Sequence, residues 1–492
     1  MKLITKITLI AGLGLGLVAC ENLDQEPYNQ LSTEVAFKTV DNAMYWRNGF
    51  YKRLRDAAFY YATTYPELQS DLANASEDFG NRGGIVHTWN IEAGTTDVRD
   101  IWQRAYIGLA NVNQCITKFP SIPTESADQR TRLNQYLGEA YAFRAYYFFQ
   151  LVQLFSPKYD PNGSNKDVAN LGVPLLLTFD VTALPSRATL GQTYTQILSD
   201  LAQAETLLSS KVGTVGANTF TIDAVKALKA RVLLTKGDYA EAYTIASALV
   251  ASGKYSLLTT QADLANTFHK DGKAETLLQL FVASDELSPN GDSYLGYNEK
   301  KKVYRADFIP TKWVLDLYES NDIRKGAYFL TTTVIYSSGT YTATLVNKYP
   351  RGLYAATSYA HAPKVFRIAE QYLIAAEAAY KSGNETAALA QLNALRTARG
   401  ASSITATGTA LFEEIKNERV RELSFEGFRL TDLKRWSDPV TRRTPQNTAF
   451  IVRTPAEQYY QLNKPANNVE LTWPIPSYDV QLNPNLVQNE GY

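Results

Sequence analysis

Few residues of this chain are placed to do chemistry, and the first is a cysteine. Cys20 closes Leu17-Val18-Ala19-Cys20, after a basic start at Lys2 and Lys6 and an apolar run over residues 7–19. A positive start, an apolar stretch and small residues at a cut mark a secretory signal. With cysteine at the cut, the expected chemistry is acylation of the Cys20 thiol, which makes it the lipidated N-terminus of a bacterial lipoprotein. The 13 apolar residues fall short of the roughly 20 that span a bilayer. Beyond Cys20 only Cys115 remains, so no intramolecular disulfide is expected.

A ladder of carboxylates, Glu418, Glu422 and Glu426, recurs at a helical spacing of four and could in principle serve as general acid or base. Arg419, Arg421, Arg429 and Arg435 lie within reach to neutralise them. Interleaved Leu423, Phe425, Phe428, Leu433 and Trp436 predict a helix packed on both sides, with its charges held in pairs. His87, His269 and His361 are too far apart in sequence to suggest a zinc set. Asp160-x-Asn162-x-Ser164 lacks the glycine and distal glutamate of a calcium loop and reads as a turn. Gly12-x-Gly14-x-Gly16 lies in the signal and precedes no strand–helix unit. No nucleophile elbow, phosphate loop or H-E-x-x-H motif is present. The expectation is a protein with no catalytic residues, cofactor or metal.

Without its signal the chain carries 47 basic and 49 acidic residues, so nothing in its charge attracts nucleic acid. No later apolar run reaches spanning length, which predicts a soluble body held to a membrane by lipid alone. Tyrosine is abundant, with 32 Tyr against 20 Phe and six Trp. Rings with a polar handle suit half-exposed binding faces.

The elements that must position these residues are mostly helical. Residues 21–30 read as a polar tether, within a lipidated leader over 20–30. Helical spacing runs from Ser32 to about Ala58, then over 101–118, 130–155, 193–208, 223–235 and 239–252. Residues 59–100 read as a long irregular loop with exposed rings at Tyr60, Tyr61, Tyr65 and Trp89. Residues 255–310 read as mixed, with strand pieces and a polar loop near 288–298. Residues 227–250 and 372–395 form a weak repeat, each a helix, a Lys-x-Gly turn and a small-residue helix. Gly237 and Gly383 stand where a left-handed cap is wanted. This is the pattern of tetratricopeptide-type hairpins. About 145 residues separate the copies, against the 34 of a continuous array, so hairpins scattered through a larger fold are expected. The proline-punctuated end, from Leu471 to Tyr492, reads as a non-helical strap over the body.

Arg421-Glu422-Leu423, Phe425-Glu426-Gly427, Arg429, Asp432-Leu433 and Arg435-Trp436 together resemble the C-terminal signature of the SusD/RagB family. Pro474-Ile475-Pro476, Asn483-Pro484-Asn485-Leu486 and Gln488-Asn489 match its ending. Arg367-Ile368-Ala369-Glu370, running into Tyr372-Leu373-Ile374-Ala375-Ala376-Glu377-Ala378, resembles the first helix of its terminal hairpin. The lipoprotein start and residues 37–51 also fit, so the likeness covers nearly the whole mature chain. Phe428-Arg429-Leu430-Thr431 departs from relatives that carry a His or an aromatic pair, a matter of packing.

The resemblance implies a mainly α, SusD-like fold with tetratricopeptide-like hairpins, long loops and a few short strands. It implies a single body over 31–492, with an N-terminal part at about 31–215 and a C-terminal part at about 265–492. It further implies a lipid-anchored outer-membrane protein facing the cell exterior, without enzymatic activity. Such a protein acts as the lid of a SusC-like TonB-dependent transporter and hands over oligosaccharides or, in some relatives, peptides. Binding loops vary within the family, so site residues are chosen by loop position and chemistry. Trp89 with Arg82 and Asn90 lead in the first loop, Tyr294 and Tyr297 follow in the second, and Tyr65 and Asp71 complete the set. A peptide-binding lid is the alternative, and a surface glycoside hydrolase, needing two carboxylates about 5–9.5 Å apart, is the third reading.

Overall fold

The computed structural model describes residues 35–55, 61–283, 293–298, 300–350, 361–453 and 456–492. The signal, Cys20, the tether and Tyr60 lie outside the described residues.

Helix α1 (Val40–Arg53) starts later than Ser32, because Thr39 closes a reciprocal cap with Asn42. After α2 (Tyr61–Gln69) come α3 (Thr96–Lys118), α4 (Ala127–Phe155), α5 (Leu190–Leu207), α6 (Ile222–Lys236) and α7 (Tyr239–Ala251). From α3 to α7 each helix packs on the next. Beyond α8 (Gln261–His269), the array resumes with α9 (Ile368–Lys381), α10 (Glu385–Ala398) and α11 (Gly408–Leu423), and α12 (Arg429–Trp436) closes the bundle.

The two hairpins read from the sequence are α6–α7 and α9–α10. Gly237 and Gly383 take φ of +91° and +80°, the left-handed turn that glycine adopts without a Cβ penalty. They are not scattered, however, because α9 packs directly on α7. Ala230, Ala242, Ala246, Ala375 and Ala378 are fully buried at this junction. Side chains this small let the backbones approach and bury a continuous face across the insertion of residues 252–367.

That insertion, with the loop before α3, supplies the strands. They are β1 (Ala73–Ala75), β2 (Thr276–Gln279), β3 (Tyr297–Asn298), β4 (Val303–Tyr304), β5 (Phe308–Pro310), β6 (Phe329–Tyr336), β7 (Gly339–Val346) and β8 (Lys364–Arg367), and a further short antiparallel pair, Val440–Thr441 with Asn463–Lys464, follows α12. β1 pairs antiparallel with β5, and β2 with β8. A four-stranded sheet runs β3-β4-β6-β7, parallel only between β4 and β6. Its small core, with Leu295, Tyr304, Val334 and Tyr336, is separate from the large core that runs from Val40 to Leu486.

The C-terminal strap does lie over the body. Trp473 is fully buried and donates to Gln69 Oε1 at 2.7 Å, while Asn489 Nδ2 bonds the carbonyls of Phe155 and Trp473. It nevertheless contains a six-residue helix, Ser477–Leu482, which Pro476 precedes rather than interrupts.

The carboxylate ladder sits inside. Glu422 accepts from Arg399 Nε and Nη2 (both 3.0 Å), Arg367 Nη1 (2.8 Å), Arg324 Nη1 (3.2 Å) and the Tyr328 hydroxyl (3.0 Å). Glu418 takes Arg421 and Arg396, and Glu426 takes Arg367 and Lys348. The structural reading holds, but the partners of Glu422 come from distant segments. Of the neighbours first expected, Arg419 and Arg435 bind Asp432, and Arg429 binds Asp71. Burial pushes the Glu422 carboxyl up, and Arg399, Arg367 and Arg324 more than offset this, holding it well below the usual carboxylate range.

Glu67 is the opposite case. It is buried with no arginine and accepts the backbone N–H groups of Phe425, Gly427 and Arg429 at 3.3, 2.6 and 3.3 Å. Burial dominates and raises its pKa to about 7. A carboxyl with a raised folded pKa contributes stability that is full below the unfolded value near 4.5 and is lost as pH rises through 7. The melting temperature of the wild type relative to Glu67→Gln should therefore climb as pH falls from 7.5 to 5. A constant difference across that range would show that Glu67 does not titrate there.

Candidate functional site

The segment expected to be an irregular loop over 59–100 is largely ordered, with α2, β1 and a short helix at Gly84–His87. This folding divides the seven expected ligand residues in two. Trp89 is only 3% exposed, and its indole N–H donates to the Gln69 carbonyl at 2.9 Å. Its ring packs with Leu430, Leu433 and Val440, which fixes the end of the loop from below. Asp71 is fully buried in a two-pronged pair with Arg429, 2.8 Å at each oxygen. There the guanidinium outweighs burial and keeps the carboxyl low. Tyr65 and Tyr294 belong to the large core, Tyr294 edge-on to Phe425 at 5.3 Å. Polar handles favour exposure, yet tertiary packing buries these four residues. As surface contacts they are corrected: all four are buried inside the protein.

Arg82, Asn90 and Tyr297 remain at the surface. Arg82 is 65% exposed along its side chain while its partner Asp307 is 4% exposed. Arg82 Nε donates to Asp307 Oδ2 at 2.7 Å, and a second nitrogen bonds Oδ1. Burial raises the Asp307 carboxyl, and the Arg82 bonds only partly reverse this. The same asymmetry recurs one step away, where Arg305 (55%) reaches Asp78 (9%) at 2.9 Å. Each buried carboxylate thus pins a guanidinium at the surface of the protein.

Backbone links join these residues into one ridge. Arg305 N–H bonds the Gly296 carbonyl at 3.1 Å, and Ser76 N–H bonds that of Asp307 at 2.8 Å. A Cβ on Gly296 would stand 2.0 Å from the Arg305 oxygen, so only glycine lets the two segments close. Beside Arg305, Tyr304 is in register with Tyr297, ring centroids 4.9 Å apart. Asn90 N–H returns to the Ile85 carbonyl at 2.9 Å, which places Asn90 beside the exposed Ile85 on the Arg82 loop.

The β6–β7 hairpin tip clamps the other side. Ser337 donates its N–H and hydroxyl to Asp78, both at 2.7 Å, and Ser338 donates its N–H to Glu77 at 2.8 Å. Burial pushes the Asp78 carboxyl up, but the Ser337 bonds and the Arg305 charge win and lower it. Asn81, Trp89 and Lys302 all take left-handed backbone without being glycine, at φ of +58°, +62° and +52°. Such conformations persist only where surroundings over-determine them, and they gather at ligand sites. Arg305, Glu77, Asp78 and the Ser337–Ser338 clamp escaped the sequence reading. The signal was there: the β-branched run over 331–335 and the alternating threonines 340, 342 and 344, around Ser337-Ser338-Gly339, mark a hairpin.

No three His, Cys, Asp or Glu side chains group as a metal-ligand set among the described residues. Asp160 Oδ1 accepts the Asn162 N–H at 3.0 Å, closing an ordinary turn. No described helix is long and apolar enough to cross a membrane.

Together these features define a stacked helical-hairpin scaffold that presents an arginine-bearing ridge on inserted loops and small sheets. A family profile described as "SusD family" matches residues 235–492, and one described as "Starch-binding associating with outer membrane" matches residues 21–234. The chain belongs to the SusD family. The two profiles meet in the last turn of α6. Among relatives, SusD-like protein P2 of Formosa agariphila is 26% identical over 538 aligned positions, covering 99% of each chain. SusD-like protein P38 of the same organism is 27% identical over 275 residues, 54% of this chain, and the chain spans 49% of that relative. A crystal structure of a SusD superfamily protein from Bacteroides thetaiotaomicron superposes with a TM-score of 0.77 at 26% identity, covering 92% of this chain and 99% of that one. The fold is accordingly the mainly α SusD-like one that the terminal motifs implied.

Proposed function

We propose that this protein is a surface glycan-binding lipoprotein. In this reading it serves as the non-enzymatic lid of a SusC-like TonB-dependent transporter, held to the outer membrane through Cys20. The observation that carries the reading is the ridge itself, on which Arg82, Arg305, Tyr297 and Asn90 are presented by buried carboxylates and a clamped hairpin. Sugar rings offer apolar C–H faces and hydroxyl edges, which match the half-exposed Tyr297, backed by the buried Tyr304 ring and flanked by guanidinium and amide groups. The starch-binding description of the profile over residues 21–234 supports the same ligand class. A hydrolase finds little support here, since Glu77, Asp78 and Asp307 are each occupied by serine or arginine donors.

A calorimetric panel of oligosaccharides and peptides tests the reading with the pure protein. Binding within the oligosaccharide set alone is expected. Binding of peptides alone would replace the glycan lid with a peptide lid, and release of reducing ends from a bound oligosaccharide would revive the hydrolase.

A further inference from the structure

We infer that the groove between α1 and α3 is a second oligosaccharide site, apart from the ridge. This rests on the glycan reading above and adds a site to it. The two helices pack side by side. Tyr45, Gly49 and Arg53 follow one another at helical spacing on α1, as do Arg104, Ile107 and Asn111 on α3, so each set forms one helix face. Together they line two adjoining hollows of about 310 and 580 Å³, which share Gly49 and Arg53. Volumes of this order are those of small-ligand pockets. Gly49 is the residue that needs a reason. Glycine is a poor helix former, and nothing in the backbone asks for it, since its φ is not positive. Its own helix aside, no atom lies within 4 Å of where a Cβ would stand. The missing side chain leaves the floor of the groove open.

What stands around that floor selects the ligand. Tyr45 is 65% exposed and Ile107 50%, so a ring and an aliphatic chain offer contact to a sugar's C–H face. Trp46 is locked beside Tyr45, its ring stacked on Phe37 at 4.9 Å and its indole N–H on the Ala36 carbonyl at 3.1 Å. Arg53 and Arg104 are exposed, and neither forms an ion pair or side-chain hydrogen bond with a described residue. Lys52 on the same wall is already engaged, and Asp100 has Arg99 at 3.7 Å. Donor geometry matters here more than net charge, because a guanidinium fork can bond two neighbouring hydroxyls at once. Asn111 gives its N–H to the Ile107 carbonyl at 2.8 Å, which leaves its side-chain oxygen to accept from a hydroxyl. Peptides fit less well. A docked helix needs a continuous apolar stripe, which Gly49 and Arg53 interrupt, and an added strand needs free backbone groups, which two helical walls lack.

The test is calorimetric titration of the full mature chain with linear oligosaccharides of glucose, mannose, xylose and uronate units, and with a peptide as a further arm. For the tightest oligosaccharide, the wild type should show a second binding event beyond that at the ridge. Gly49→Leu should weaken that event about tenfold or more, because a leucine here leans back over Tyr45 and fills the floor. Leucine is the better helix former and its Cβ meets no neighbour, so the melting temperature should hold or rise. Tyr45→Ala should weaken the same event by a similar factor, and Tyr297→Ala should leave it in place. Wild-type titration curves in both groove variants would overturn the inference and leave the glycan reading standing. A single event, lost with the groove variants and kept with Tyr297→Ala, would uphold the groove and move the ligand off the ridge. Binding of the peptide alone, or of nothing in the panel, would remove both.

Discussion

Replacing Glu422 by Ala is expected to cost about 3–5 kcal/mol of folding stability, the range for removing one member of a buried ionic cluster. The carboxylate receives five hydrogen bonds from Arg324, Arg367, Arg399 and Tyr328, and every one of these side chains is fully buried. Its removal leaves guanidinium groups without enough counter-charge in a medium that cannot hydrate them. Glu275 and Glu426 remain as partners of Arg399 and Arg367, so the network is weakened rather than abolished. Urea unfolding should show a lower midpoint at nearly unchanged slope. The same geometry fixes the acid response. Because the folded pKa of Glu422 is depressed, its contribution is present above the unfolded value near 4.5 and is lost as pH falls through the folded value. The wild type should lose stability on acidification below about 4.5, and Glu422→Ala should lose less of it. A Glu422→Ala protein with a wild-type midpoint would mean that the cluster is dispensable.

The second large effect concerns anchoring. Cys20→Ala should release a folded, ligand-competent protein from the cell surface and abolish uptake of the bound oligosaccharide by cells that depend on this protein. Acylation at the cut is what would hold the lid near its transporter, and two acyl chains suffice for stable attachment where one does not. Fractionation with calorimetry separates the two consequences: the variant should move to the medium with unchanged affinity. Full uptake by Cys20→Ala cells would show that this cysteine is not the anchor. Co-purification of a large β-barrel with the wild type from solubilised outer membranes, and its loss with the variant, would tie the anchor to the transporter.

How much of this was legible beforehand follows from the range of the interactions. Helices α3 to α7 could be read to within a few residues, because amphipathic spacing and caps such as Thr189 and Thr221 are local. The family could be read because its charged signature is spelled out between Arg421 and Trp436. The stacking of α9 on α7 could not, since nothing local to either hairpin reports a contact across the intervening insertion. Surface placement was half legible for the same reason. Loop position put Arg82, Asn90 and Tyr297 at the surface, where they lie, whereas Trp89 and Asp71 have the same surface-like chemistry and are buried by partners at Leu433 and Arg429. Composition ranks what a residue can do, and only tertiary packing decides which side of the backbone faces water.

The central claim is that the ridge formed by Arg82, Arg305 and Tyr297 is where ligand binds. Calorimetric titration of the tightest oligosaccharide from the panel against Tyr297→Ala and Arg82→Ala tests it most directly. Tyr297 is half-buried and Arg82 pairs with the buried Asp307, so each variant is first shown by its melting transition to be folded, and each should then weaken binding roughly fivefold to twentyfold, about 1–2 kcal/mol. Wild-type affinity in both variants, with folding intact, would contradict the account and move the binding site off this ridge.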